Sequence, residues 1–262
     1  MTPSLVIFDC DGVLVDSELI ANRVFCARLN QLGLPLTLED MFRDFVGRSM
    51  PQCEQHVAAL LGRAPPAGFI DEVQQEMRAA LAAQVTAVPG VPALLAGLAV
   101  PFCVASSGDK AKIRLTLGKT GLLPLFEGKI FSVMDVARPK PAPDIFLHAA
   151  AQMGAPAADC VVVEDTPTGV VAGIAAGMQV CGFAARTPAP RLWAAGAHQV
   201  FDDMRALAQW LGQGIPEAAG ALPSKSAPLV AAAPPRPLAK SCAIGAICTQ
   251  RRRRHPQWWR RT

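Results

Sequence analysis

Four short segments hold the residues able to do chemistry: Asp9-Cys10-Asp11-Gly12-Val13, Ser106-Ser107-Gly108, Lys140-Pro141 and Glu164-Asp165. Two carboxylates one residue apart, such as Asp9 and Asp11, repel each other unless a positive partner compensates them. A hard divalent cation is the simplest compensator, and carboxylate oxygens are its usual ligands. A hydroxyl from Ser106 and an ammonium from Lys140 complete a set that could neutralise a transferring phosphoryl group. Taken singly, the pieces are ordinary: an acidic turn, a Ser that caps a helix, a Lys before Pro. Their order along the chain, and what precedes each of them, make the set specific.

What precedes three of them is strand. Leu5-Val6-Ile7-Phe8 runs into Asp9, Phe102-Cys103-Val104-Ala105 into Ser106, and Cys160-Val161-Val162-Val163 into Glu164. Short apolar runs of this kind are buried on both faces of a parallel sheet. Strand-like runs at 4–9, 102–106, 129–133, 160–164 and 179–183 alternate with helical patterns that include 110–118, 143–154 and 169–177. That alternation predicts an α/β fold, a parallel sheet with helices on both faces, which binds ligands beyond the carboxyl ends of its strands. Between the first and second strands, residues 17–86 read as helices with no β-rich run. Pro89, at the end of Thr86-Ala87-Val88-Pro89, stops the preceding helix.

With these motifs in this order, residues 4 to about 205 resemble the haloacid dehalogenase-like superfamily, in its branch of sugar-phosphate phosphatases and beta-phosphoglucomutase-like enzymes. The resemblance implies a Rossmann-like core, 1–16 and 87–214, and an inserted all-helical cap, 17–86, hinged near Val15-Asp16-Ser17 and Thr86-Ala87-Val88-Pro89. It implies that Asp9 attacks phosphorus and becomes an aspartyl phosphate, while Asp11 exchanges a proton with the leaving oxygen. Ser106 would hydrogen-bond the phosphoryl group, Ser107 and Gly108 would add backbone N–H donors, and Lys140, in Lys140-Pro141-Ala142-Pro143-Asp144, would neutralise it. Mg²⁺ would be held by Asp9, the Asp11 carbonyl and Asp165, with Glu164 either coordinating or orienting the ligands. The loop Gly47-Arg48-Ser49 corresponds to the family's substrate-specificity loop, where Arg48 could meet a second anionic group or sugar hydroxyls; Arg78, on the stretch 71–83, is a weaker candidate.

The implied activity is hydrolysis of a small phosphorylated sugar or sugar acid, with 6-phosphogluconate as candidate. A sugar-phosphate mutase is the alternative, but family mutases carry His four residues beyond the position of Ser17, and here that residue is Ala21. Dehalogenation has no use for Ser106, Lys140 and Glu164-Asp165.

At 262 residues and 51% apolar composition the chain can bury a large core. It shows neither a signal-peptide pattern nor an apolar run of about 18 residues, so a cytoplasmic protein, with no membrane partner and monomeric, is expected. Its eight Cys lack C-x-x-C spacing and read as free thiols. His56, His148 and His198 have no partner at ligand spacing and read as structural. Residues 1–214 carry 16 Lys plus Arg against 20 Asp plus Glu, whereas residues 215–262 carry nine against one. That Ala-, Pro- and Arg-rich stretch, ending in Arg251-Arg252-Arg253-Arg254 and Trp258-Trp259, is expected to be a disordered tail. A non-enzymatic module that engages nucleic acid through the tail is the reading from another class; no nucleic-acid-binding fold accompanies the tail, and the four acidic and basic motif residues argue for catalysis.

Overall fold

The computed structural model describes residues 2–212, so the basic stretch 215–262 lies outside the described residues. Six strands form one parallel sheet: β1 (Leu5–Phe8), β2 (Phe102–Ser106), β3 (Ile130–Ser132), β4 (Cys160–Glu164), β5 (Gln179–Phe183) and β6 (Gln199–Phe201). Their order is β3-β2-β1-β4-β5-β6, with Val6 opposite Phe102 on one side and Val161 on the other. The winding direction therefore reverses between β1 and β4, and a crevice opens at the carboxyl ends of those two strands. Asp9 and Glu164-Asp165 sit at that point because β1 ends at Phe8 and β4 ends at Glu164.

Strand side chains alternate between two apolar layers. Val6, Phe8, Val104, Val161 and Val163 pack with α5 (Val91–Gly97), α6 (Lys110–Lys119) and α11 (Met204–Gly212) through Leu94, Ile113, Leu117 and Leu207. The short α7 (Leu123–Phe126) adds Phe126 to the same layer. Leu5, Ile7, Cys103, Ala105, Val162 and Val180 face α8 (Asp144–Gln152), α9 (Pro167–Ala175) and α10 (Ala189–Ala194), meeting Ile145, Phe146, Val170 and Leu192. Both faces of the sheet are covered, as parallel sheets require. The α/β class expected from the sequence is the one observed. The sixth strand was not among the five expected: Gln199-Val200-Phe201 is a three-residue edge strand, only half-buried, and shows no apolar run.

The insertion forms α1 (Glu18–Gln31), α2 (Leu38–Asp44), α3 (Met50–Leu61) and α4 (Phe69–Gln84) around its own core of Phe25, Leu29, Met41, Phe45, Val57, Phe69 and Val73. Phe25 and Phe45 meet edge to face, their centroids 5.3 Å apart, the arrangement favoured by ring quadrupoles. The two connections to the sheet run side by side: the Asp16 amide donates to the Thr86 carbonyl at 2.9 Å and the Val88 amide to that of Leu14 at 3.0 Å. Among the described residues no helix is long and apolar enough to cross a membrane.

Candidate active site

A cavity of about 250 Å³ separates the cap helices from the carboxyl ends of the strands. Asp9, Asp11, Ser106, Ser107, Gly108, Lys140, Glu164 and Asp165 line its floor, and Gly47, Arg48 and Ser49 line its roof. The structure thus brings the widely spaced motif residues together. It also seats Gly47 directly above the start of α9, where an added Cβ would lie 3.3 Å from Thr168 Oγ1. Ser49 caps α3 and its hydroxyl bonds Gln52 Oε1 at 3.0 Å, so it shapes the loop. Arg48 donates through Nε to the Asp44 carbonyl and has no carboxylate partner among the described residues. Arg78 lines the cavity as well, 3.7 Å from Asp109 across the cap–core gap.

Lys140 organises the floor. Its ammonium, on a side chain only 4% exposed, donates to Asp9 Oδ1 at 2.6 Å, Glu164 Oε1 at 2.8 Å and the Ala105 carbonyl at 3.2 Å. It also lies 4.6 Å from the centroid of the Phe146 ring. All three ammonium donors are engaged, so its direction is fixed. Burial alone would depress the Lys140 pKa, but Asp9 and Glu164 outweigh burial and raise it.

Glu164 has both oxygens occupied. Oε1 receives Lys140, while Oε2 accepts the Thr166 amide at 2.7 Å and the Thr166 hydroxyl at 2.9 Å. Gly169 makes room for it, since a Cβ there would lie 1.8 Å from Oε1. Asp165 is the opposite case: Oδ1 and Oδ2 are both buried with no hydrogen-bond partner among the described residues. A Cβ on Gly12 would fall 2.1 Å from Asp165 Oδ2, so the glycine, held at φ +77°, lets this carboxylate press against the turn that follows Asp9.

Unpartnered buried carboxylate oxygens are costly and are rare in native proteins. Burial, then the charges of Glu18, Glu164 and Asp9, push the Asp165 carboxyl well above its ordinary range. Burial likewise raises Asp9 to about 7, with Lys140 opposing and Glu164 and Asp11 adding to the rise. Among the described residues no three His, Cys, Asp or Glu side chains form an all-protein metal cage. Two carboxylates with hard oxygen donors suit Mg²⁺, which keeps several waters and usually takes only one or two protein carboxylates.

Ser106, at the end of β2, accepts the Gly108 amide at 3.1 Å and keeps its hydroxyl proton free to donate. Gly108 is thereby turned toward Ser106, and the Ser132 hydroxyl fixes its carbonyl at 2.7 Å. Of the three expected structural histidines, His56 packs on Phe45, His148 packs on Phe131, and His198 Nδ1 accepts the Val180 amide; none lines the cavity.

Three participants were not singled out as site residues by sequence. Lys112 donates to Asp11 Oδ2 at 2.7 Å, and the Ser17 hydroxyl donates to Asp11 Oδ1. Burial pulls the Asp11 pKa upward, but the Lys112 charge and these hydrogen bonds outweigh it and hold the carboxyl below its ordinary value. Glu18, in the first turn of α1, also lines the cavity; burial, then Asp11 and Asp9, raise it to about 7.

An acidic switch point with a buried lysine at its centre and a helical cap above is the architecture of one enzyme class, and a family model for haloacid dehalogenase-like hydrolases matches residues 3–177. The chain belongs to that family. It is 34% identical over 181 residues to the 6-phosphogluconate phosphatase of Escherichia coli (strain K12), covering 69% of this chain and 82% of that protein. It is 33% identical over 190 residues to hexitol phosphatase A of the same organism, covering 71% and 85%. Among solved structures, a haloacid dehalogenase-like protein of unknown function from Agrobacterium tumefaciens matches with a TM-score of 0.73 at 36% identity, covering 80% of this chain and 98% of that one.

Proposed function

We propose that this chain is a Mg²⁺-dependent phosphatase of small phosphorylated sugars or sugar acids, with Asp9 as nucleophile and Asp11 as proton carrier. The observation that carries the reading is Asp165, buried with both oxygens unpartnered beside the Asp9–Lys140 pair. Asp9, Asp165 and the Asp11 carbonyl would hold the ion. Bound there, Mg²⁺ would neutralise charge on the carboxylates and on the phosphoryl oxygens. Glu164, with both oxygens taken, orients Lys140.

In the first step an Asp9 carboxylate oxygen forms a bond to phosphorus as the bond from phosphorus to the sugar oxygen breaks. The departing electron pair goes to that oxygen, which takes a proton from Asp11; because Lys112 and Ser17 hold Asp11 ionised in the free protein, Asp11 takes that proton up from solvent before the transfer. In the second step water attacks phosphorus, gives its proton to Asp11 and releases Asp9 with inorganic phosphate. Splitting one displacement in two lets the same positive groups neutralise both transition states. Ser106 would hydrogen-bond the phosphoryl oxygens and the charge of Lys140, beside Asp9, would help to neutralise them, while the cap, residues 17–86, excludes water that would compete with positioned groups.

The choice of a sugar acid rests on Arg48, a cavity cation without a carboxylate partner among the described residues, and on the likeness to a 6-phosphogluconate phosphatase. Ala21 lines the cavity where a family mutase would place a His, so no cap imidazole is there to shuttle a second proton. The test is phosphate release from 6-phosphogluconate, glucose 6-phosphate, a hexitol phosphate and beta-glucose 1-phosphate, with Mg²⁺ or with chelator. Mg²⁺-dependent release is expected; isomerised sugar phosphate without release overturns the reading. Arg48→Ala should lower kcat/KM on 6-phosphogluconate by ~10-fold or more while changing that on an aryl phosphate little, as expected for loss of one charged hydrogen bond. Equal losses would remove Arg48 from substrate choice.

The ion also has a signature in stability. Asp9 and Glu18 titrate near 7 in the fold, against about 4 when unfolded. A carboxyl whose pKa rises on folding contributes stability that is complete below the unfolded value and is lost as pH rises through the folded one. The metal-free protein should therefore weaken between about pH 4 and 7. Mg²⁺ should raise Tm by several degrees at pH 8 and barely at pH 5, because it compensates charge present only at the higher pH. A shift independent of pH would place the cation elsewhere.

A further inference from the structure

The helix that follows Ser106 begins against the usual rule. Helix N-termini favour acidic side chains, yet the first turn of α6 holds Lys110 and Lys112 and no acid. Asp109 caps it, accepting the Lys112 amide at 2.8 Å. Lys110 turns outward to Asp135 at 2.6 Å. Lys112 turns inward, and its ammonium meets Asp11 Oδ2 at 2.7 Å on the wall of the cavity.

The two carboxylates that would repel each other are thus divided between two lysines. Lys140 takes Asp9 from beneath, and Lys112 takes Asp11 from α6. The remaining Asp11 oxygen is held by Ser17, at the N-terminus of α1. Asp11 therefore has a direction set from two sides. A proton carrier works only if its carboxyl stays in line with the oxygen it serves.

We propose that Lys112 is a positioning residue for this reaction, fixing from α6 the direction in which the Asp11 carboxyl faces the leaving oxygen. This rests on the phosphatase reading. No motif of the chain marks Lys112; the contact across about 100 residues does.

The test compares kcat/KM of Lys112→Met and wild type on three substrates: 6-phosphogluconate, glucose 6-phosphate and p-nitrophenyl phosphate. Because kcat/KM reports only steps through release of the alcohol, it isolates the transfer in which Asp11 gives its proton. Both sugar phosphates should lose about 100-fold, the worth of a positioned general acid, and the aryl phosphate less than about threefold, because its phenolate leaves unprotonated. Lys112→Arg should recover most of the loss. Equal losses on all three would assign Lys112 a structural role and overturn the proposal. A loss confined to 6-phosphogluconate would make Lys112 a contact for the substrate carboxylate and overturn it equally. If wild type releases phosphate from none of them, the phosphatase reading fails, and a crystal structure of Lys112→Met decides the positioning by itself. An Asp11 carboxylate turned from its place supports it, and an unmoved one refutes it.

Discussion

Asp9→Asn should abolish turnover, with kcat falling ~10⁴-fold or more, as removal of a nucleophile does elsewhere. The amide oxygen of Asn is a poor nucleophile, and the amide contributes no charge to hold a cation. The change is nearly isosteric, and Lys140 keeps Glu164 as a partner at 2.8 Å. Folding should therefore survive. Removing one of several buried carboxylates that crowd Asp165 should even raise Tm slightly at pH 8 in the absence of metal. Phosphate release and thermal unfolding measured on the same preparation separate the two effects. Residual activity within about 100-fold of wild type would rule out an aspartyl-phosphate route, whatever the stability.

The separation between what was legible in the sequence and what was not follows a physical line. Strands β1, β2, β4 and β5 were legible because central parallel strands are buried on both faces and read as unbroken apolar runs. Edge strand β6 was not, since Gln199-Val200-Phe201 is only three residues long and half-buried, too short to show a pattern even though Val200 and Phe201 pack against the core. Asp9, Ser106 and Asp165 were singled out because each ends or follows such a run, and Lys140 through its Lys-Pro-x-Pro-Asp motif; the structure brings all four to one cavity. Lys112 escaped because its meaning comes from facing Asp11, which only the packing of α6 beside β1 creates. Glu18 and Ser17 escaped for the same reason: at the start of a helix they read as an ordinary cap and first-turn acid. One signal was available for Lys112, two lysines in a first turn that should have been acidic. Gly12 and Gly169 were silent too, because a glycine that admits a carboxylate looks in sequence like a glycine that makes a turn.

Lys140→Met carries the second large expectation, and it joins stability to chemistry. Two carboxylates, Asp9 and Glu164, share the buried Lys140 ammonium. Removing the cation leaves them uncompensated, and loss of one partner of a buried pair costs about 3–5 kcal/mol. For a domain of this size that is a fall in Tm of about 10 °C. Activity should fall ~10³-fold, since a preorganised charge on the phosphoryl oxygens is lost as well. The two losses have different remedies. Adding Glu164→Gln removes one of the stranded charges while its amide can still meet Thr166, so Lys140→Met/Glu164→Gln should regain much of the Tm and none of the activity. Recovery of both would mean that Lys140 serves only to hold Glu164 in the fold. Recovery of neither would mean that the stranded charge belongs to Asp9 alone, and that Glu164 carries no part of the balance that the geometry gives it.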